Sequence, residues 1–136
     1  MDLLHYGLKF ELRDDWWVEA GMVGFDVQDS AYKVNLNAFP NVYSVSIKEV
    51  GPVHREGGVF KDDNETGLSA KERVTRILRW FREDVAIEPV EVVKLLPSDP
   101  YRYKLVHGAH RFYCSLAAGF THVPAVDGFD WASLDQ

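Results

Sequence analysis

The sequence predicts an α+β domain, a mixed sheet packed against helices, on three observations. Residues 42–50 and 101–106 alternate apolar and polar side chains at period two, and residues 87–96 form a mostly apolar run, so all three read as strands. Residues 74–81 and 109–116 instead place apolar side chains three and four apart, the spacing of a helix stripe. Composition supplies the third: 136 residues, 46% hydrophobic and 13% aromatic, suffice for one domain with a core of its own.

In chain order, residues 8–12 (Leu-Lys-Phe-Glu-Leu) alternate as a short strand. Asp14 and Asp15 are placed to cap a helical turn through Ala20, ended by Gly21. Residues 31–36 alternate again and predict a second strand. The adjacent Trp16 and Trp17 read first as core material, because each buries a large area, and alternatively as an aromatic surface for a partner or a base. Residues 1–40 thus predict an N-terminal strand and helix elaboration of the same domain, too short to stand alone.

Asn37-Ala-Phe-Pro-Asn41 is a turn cluster and the internal boundary. The strand of residues 42–50 ends at Gly51-Pro52. Residues 53–66 carry Gly57-Gly58 and a polar run, which predicts a mobile loop able to fold over a ligand, with His54 and Arg55 as its contacts. Ser69-Ala-Lys-Glu72 is a capping box opening a helix whose core stripe is Val74, Ile77, Leu78 and Phe81. The strand after it has Pro89 near its start, where a missing N–H is tolerated.

Residues 101–119 are the centre of the chain: a strand that turns into a helix at a glycine. Tyr101, Tyr103 and Leu105 alternate, Ala109, Phe112, Tyr113 and Leu116 form the helix stripe, and Gly119 sits where a left-handed cap belongs. His107-Gly108-Ala109-His110-Arg111 therefore occupies the strand-to-helix junction. A helix start presents free N–H groups and favours an anion. Gly108 lets a ligand approach the backbone, while His110 and Arg111 add donors, so the junction predicts a phosphate-binding corner. Residues 121–126 close with a short strand, and residues 127–131 lead into a tail.

Composition bounds the function classes. Fifteen Lys and Arg against 21 Asp and Glu give a net charge of −6, which weighs against duplex DNA as a partner. Lys71, Arg73, Arg76, Arg79 and Arg82 crowd one segment, with Glu72–Arg76 and Arg79–Glu83 expected as surface pairs. One cysteine excludes an internal disulfide, and Cys114 reads as a small buried apolar group. The first residues do not resemble a signal peptide, and no run approaches the roughly 20 apolar residues of a membrane helix, so a soluble cytoplasmic protein is expected. His107 and His110, with His122 or Cys114, lack a metal-ligand pattern, and no protein-bound metal is expected. A nucleotide-bound magnesium needs only one or two carboxylates, for which Glu88, Asp62 and Asp63 are candidates.

The run His107-Gly-Ala-His-Arg-Phe-Tyr, followed by Ala117-Ala-Gly-Phe-Thr-His-Val-Pro-Ala-Val126, resembles the signature of the ParB/sulfiredoxin superfamily. In that superfamily a Gly-x-His-Arg or Gly-x-x-Arg turn opens a helix and holds nucleotide phosphates, and a short strand with a Val/Ile-Pro-Ala pattern follows. Residues 68–84 and 87–93 are similar to the family's first helix and the Pro-containing strand after it, so the resemblance spans about residues 43–127. It implies a ParB/sulfiredoxin-like domain over residues 41–136. One departure stands out: the sulfiredoxin nucleophilic cysteine falls at Ala109, so sulfinic-acid repair is not expected. Arg73, Arg76 and Trp80 fall where sulfiredoxins place smaller nucleotide-contacting residues. Either the arginines contact phosphate and Trp80 stacks on a base, or these larger side chains block the pocket.

The resemblance implies a protein that binds the phosphates of ATP or CTP, with magnesium as a companion of the nucleotide. Gly108, Ala109, His110 and Arg111 would cradle the phosphates, helped by Arg73 and Arg76. Hydrolysis or transfer of a phosphate is the chemistry it implies, with no general base identified and enzyme status left open. The alternative is a non-catalytic protein-interaction or plasmid-partition accessory module that uses the aromatic N-terminal segment. DNA binding ranks below both, because DNA-loading partition proteins carry a separate helix-turn-helix segment.

Overall fold

The chain opens with an antiparallel hairpin, β1 (Asp2–His5) and β2 (Leu8–Glu11), in which Leu3 faces Phe10 and His5 faces Leu8. Its two-residue turn, Tyr6-Gly7, has positive φ at both positions (47° and 84°), matching the twist of the flanking strands. β2 matches the strand expected over residues 8–12, whereas β1 carries no strand signal, because Leu3 and Leu4 stand side by side without alternation. The computed structural model describes residues 1–129, so Trp131 and the rest of the predicted tail lie outside the described residues.

Helix α1 (Asp14–Glu19) follows, with Arg13 as its N-cap. Asp14 and Asp15 lie within the first turn, where carboxylates favour the helix dipole, instead of capping it. Trp16 and Trp17 are half-buried against the core cluster that holds Val74, Leu78 and Phe81. The strand predicted over residues 31–36 is absent. Its alternation reflects single anchors to different elements: Lys33 C=O accepts the Ile87 N–H at 2.9 Å, and the buried Tyr32 donates to Glu88 C=O at 2.6 Å. One bond to each partner makes no ladder.

The main sheet has the order β3–β6–β4–β5, with β3 (Tyr43–Ser46), β4 (Val90–Lys94), β5 (Tyr103–His107) and β6 (His122–Asp127). β4 and β6 are parallel and the other pairs antiparallel, so the sheet is mixed. The predicted strand over residues 42–50 stops at Ser46 and becomes a 3-10 turn, Ile47–Glu49. Its buried residues step from Val45 to Ile47 to Val50, and the last interval of three does not fit a strand.

Helix α2 (Ala70–Arg82) starts with the predicted capping box and buries Val74, Ile77, Leu78 and Phe81, plus Thr75. The expected Glu72–Arg76 and Arg79–Glu83 pairs do not form among the described residues. Glu72 is turned back onto Ser69, and Arg82 meets Glu83 at 3.3 Å instead.

Helix α3 (Ala109–Ala118) lies between two core clusters. Phe112 and Tyr113 pack with Val45, Val90, Val92 and Val123 of the sheet, while Cys114 and Ala118 pack with Val74, Leu78 and Phe81 of α2. The single predicted stripe is therefore incomplete, since Cys114 and Ala118 bury a second face and Leu116 is only half-buried. Each fully buried Val, Leu or Phe here contributes about 1.5–3 kcal/mol. Gly119, at φ 101°, ends the helix, and Phe120 N–H returns to Ser115 C=O at 3.1 Å. N-terminal residues enter both clusters, Phe10 the first and Leu12, Ala20 and Met22 the second. Among the described residues no helix is long and apolar enough to cross a membrane.

Candidate functional site

β5 delivers the chain to Gly108, which begins α3 at φ 99° without a side-chain cap. The ladder starts with Phe112 N–H to Gly108 C=O at 2.9 Å, so the amides of Ala109, His110 and Arg111 precede it. The first turn contains no acidic residue. Glycine is required here twice over. Positive φ strains other residues, and a Cβ would lie 2.8 Å from Arg111 Nη2 and 2.9 Å from Val90 Cγ1.

The Arg111 guanidinium thus rests against Gly108. Its Nη1 is 3.7 Å from Glu88 Oε2, while Nε and Nη2 are buried without a hydrogen-bond partner. Glu88 is 71% exposed, so this pair is loose and solvent-screened. A guanidinium this enclosed, with two of its nitrogens unpartnered, is not satisfied by the protein.

A cavity of about 540 Å³ opens beside it, within the range of small-molecule sites. All seven site residues expected from sequence line it: Arg73, Arg76, Trp80, Gly108, Ala109, His110 and Arg111. Leu68, Ile77, Ile87, Leu105 and Val106 give apolar wall, and among the described residues Glu88 is the sole carboxylate in the lining. Arg76 sits over the Trp80 ring at 5.8 Å, and Trp80 is half-buried. Arg73, Arg76 and Trp80 therefore border an open cavity and do not fill it.

The loop of residues 53–66 is pinned over one side by side chains of the site. Arg73 Nη1 donates to Lys61 C=O at 2.8 Å, and Arg55 donates to Gly58 and Val59 carbonyls. Tyr113 Oη accepts the Val53 N–H at 3.0 Å and also meets the buried His5 Nδ1 at 3.0 Å. Arg55 lines the cavity, whereas His54 borders a different hollow beside Tyr101. Burial and the charge of Arg73 lower the Arg55 pKa from its ordinary value.

His110 does not play the part expected of it. Its Nε2 accepts the Lys61 N–H at 2.9 Å, so this nitrogen holds the loop and is no donor to a phosphate. The ring is buried, and burial, then Arg73 and Arg55, push its pKa down to about 4. A neutral imidazole acceptor results. Of the proposed magnesium ligands, only Glu88 reaches the cavity. Asp62 Oδ1 accepts the Ala70 N–H at 2.7 Å, at the start of α2, and Asp63 Oδ1 accepts the Glu65 N–H at 3.0 Å, within the loop before it. No cluster of three or more His, Cys, Asp or Glu occurs among the described residues. Cys114 is fully buried, and burial pushes its thiol pKa up, which matches the small-apolar reading.

No family model, curated protein or solved structure matches this chain.

Proposed function

We propose that the cavity at the β5–α3 junction binds the phosphate groups of a nucleotide, ATP or CTP, and that the chain is a nucleotide-binding protein of ParB/sulfiredoxin-like character. One observation carries this reading: four guanidinium groups, from Arg55, Arg73, Arg76 and Arg111, surround one cavity with a single carboxylate among the described residues, in a protein of net charge −6. Arg55 and Arg73 also pin the loop, yet gathering four guanidinium groups at one cavity is costly, because like charges repel. A polyanion relieves that repulsion and supplies the acceptors Arg111 lacks. The amides ahead of the α3 ladder add donors, and Trp80 offers a face for a base.

The reading is one of binding before chemistry. His110 Nε2 is occupied by the Lys61 amide, Cys114 is buried, and Glu88 is the one carboxylate at hand. Hydrolysis or transfer would draw its base from Glu88 or from His107, which also lines the cavity. Thermal unfolding with ATP or CTP tests the proposal: ligand at 100 times its Kd adds about 2.7 kcal/mol, a shift of several degrees. Arg111→Ala is expected to fold and to lose that shift. An undiminished shift in the variant overturns the proposal.

A further inference from the structure

We propose that this cavity takes its polyphosphate free of divalent metal, its arginines doing the charge neutralisation that magnesium does elsewhere. The inference rests on the nucleotide reading and names the ionic form of the ligand. Four guanidinium charges against the one carboxylate of Glu88 leave three formal positive charges around about 540 Å³. That balance suits an uncomplexed nucleoside triphosphate, which carries about four negative charges, better than its magnesium complex, which carries about two; the Coulomb gain scales with that charge.

The lining also gives a magnesium ion little to bind. Magnesium demands octahedral oxygen ligands and usually takes one or two carboxylates with the phosphates. Among the described residues Glu88 is the only carboxylate in the wall, and its Oε2 faces the Arg111 guanidinium at 3.7 Å. Asp62 spends an oxygen on the Ala70 N–H at the start of α2, and Asp63 one on the Glu65 N–H in the loop before it, and neither lines the cavity. The Asp63 carboxyl is held below its ordinary pKa by the Thr66 hydroxyl and the Glu65 amide, a sign that it is committed there. A divalent cation would meet four guanidinium groups before it met a second carboxylate.

Arginine is suited to the substitution. Its planar fork pairs with two phosphate oxygens at once, and it stays charged at every physiological pH. Arg73 and Arg55 are already oriented by the carbonyls of Lys61, Gly58 and Val59, which lowers the entropy lost when phosphate arrives.

Calorimetric titration of the full chain with ATP and with CTP, at constant ionic strength, in excess EDTA and then in excess magnesium, decides the matter. The expected result is binding in EDTA, weakened roughly tenfold or more by magnesium through the loss of two ligand charges. Glu88→Gln is expected to tighten binding in EDTA, because it removes the opposing charge. Equal affinity in the two media, or binding only with magnesium, overturns this inference and leaves the nucleotide reading standing. Binding in neither medium overturns the nucleotide reading itself.

Discussion

The two long helices begin in opposite ways. α2 starts with Ser69 and Glu72 capping each other and with the Asp62 carboxylate on the Ala70 amide, so its free N–H groups meet acceptors from the chain itself. α3 starts at a glycine with no cap and no acid in its first turn, and arginines stand where acceptors would. The same electrostatic demand, an N-terminus favouring negative charge, is met internally at α2 and not by the chain at α3, where we propose an outside anion. The contrast teaches that a helix start supports a binding site only when the surrounding chain withholds its own carboxylates and adds cations.

The strongest way to break this contrast is Gly108→Ala. The methyl group would collide with Arg111 and Val90 and hold a strained φ, so we expect loss of nucleotide binding and a stability loss of about 3 kcal/mol, measured by calorimetry and by urea unfolding. Acid sharpens it next. His110 in the first turn of α3 has a folded pKa of about 4, below its unfolded value, so between pH 6.5 and 4 the unfolded chain binds the extra proton. Stability should therefore fall as pH drops through that window, by on the order of 3 kcal/mol from His110, whose contribution is spent below it while the low-pKa carboxyls of Asp15 and Asp63 continue the decline. His110→Gln should flatten the slope, leaving the part due to His5, whose pKa burial also lowers.

At α2, Ser69→Ala removes a cap whose oxygen accepts the Glu72 N–H at 3.1 Å, and should cost about 1 kcal/mol in urea unfolding. Nucleotide affinity should not change, which separates the closed helix start from the open one. The smallest effect is at the rim. Lys71→Ala breaks a pair with Glu19 at 2.8 Å between two half-exposed side chains, and should shift stability by less than about 1 kcal/mol without touching affinity.

The local devices were legible in the sequence because each is written in a few adjacent residues. The Ser69–Glu72 box, the Gly108 turn and the Gly119 cap are read from short-range geometry, and the structure has all three. The seven site residues come together because α2 packs against α3; periodicity offered only a stripe of Arg73, Arg76 and Trp80, and their place beside residues 108–111 was what the ParB/sulfiredoxin resemblance implied. What escaped depends on distant partners. Residues 31–36 alternate like a strand, yet Tyr32 is tied to Glu88 and Lys33 to Ile87 by single bonds. Arg55 was only a loop contact on paper, and its place in the cavity follows from the loop's anchorage to His110, Arg73 and Tyr113. Its one available signal was an arginine just ahead of two glycines, which is common in loops.

The central claim is that the start of α3, and not that of α2, receives an anion. Amide chemical shifts recorded while ATP is added in EDTA test it most directly. The account predicts large changes at Ala109, His110 and Arg111, with Ala70, Lys71 and Glu72 unmoved. Equal changes at both helix starts, or movement at α2 alone, would contradict it.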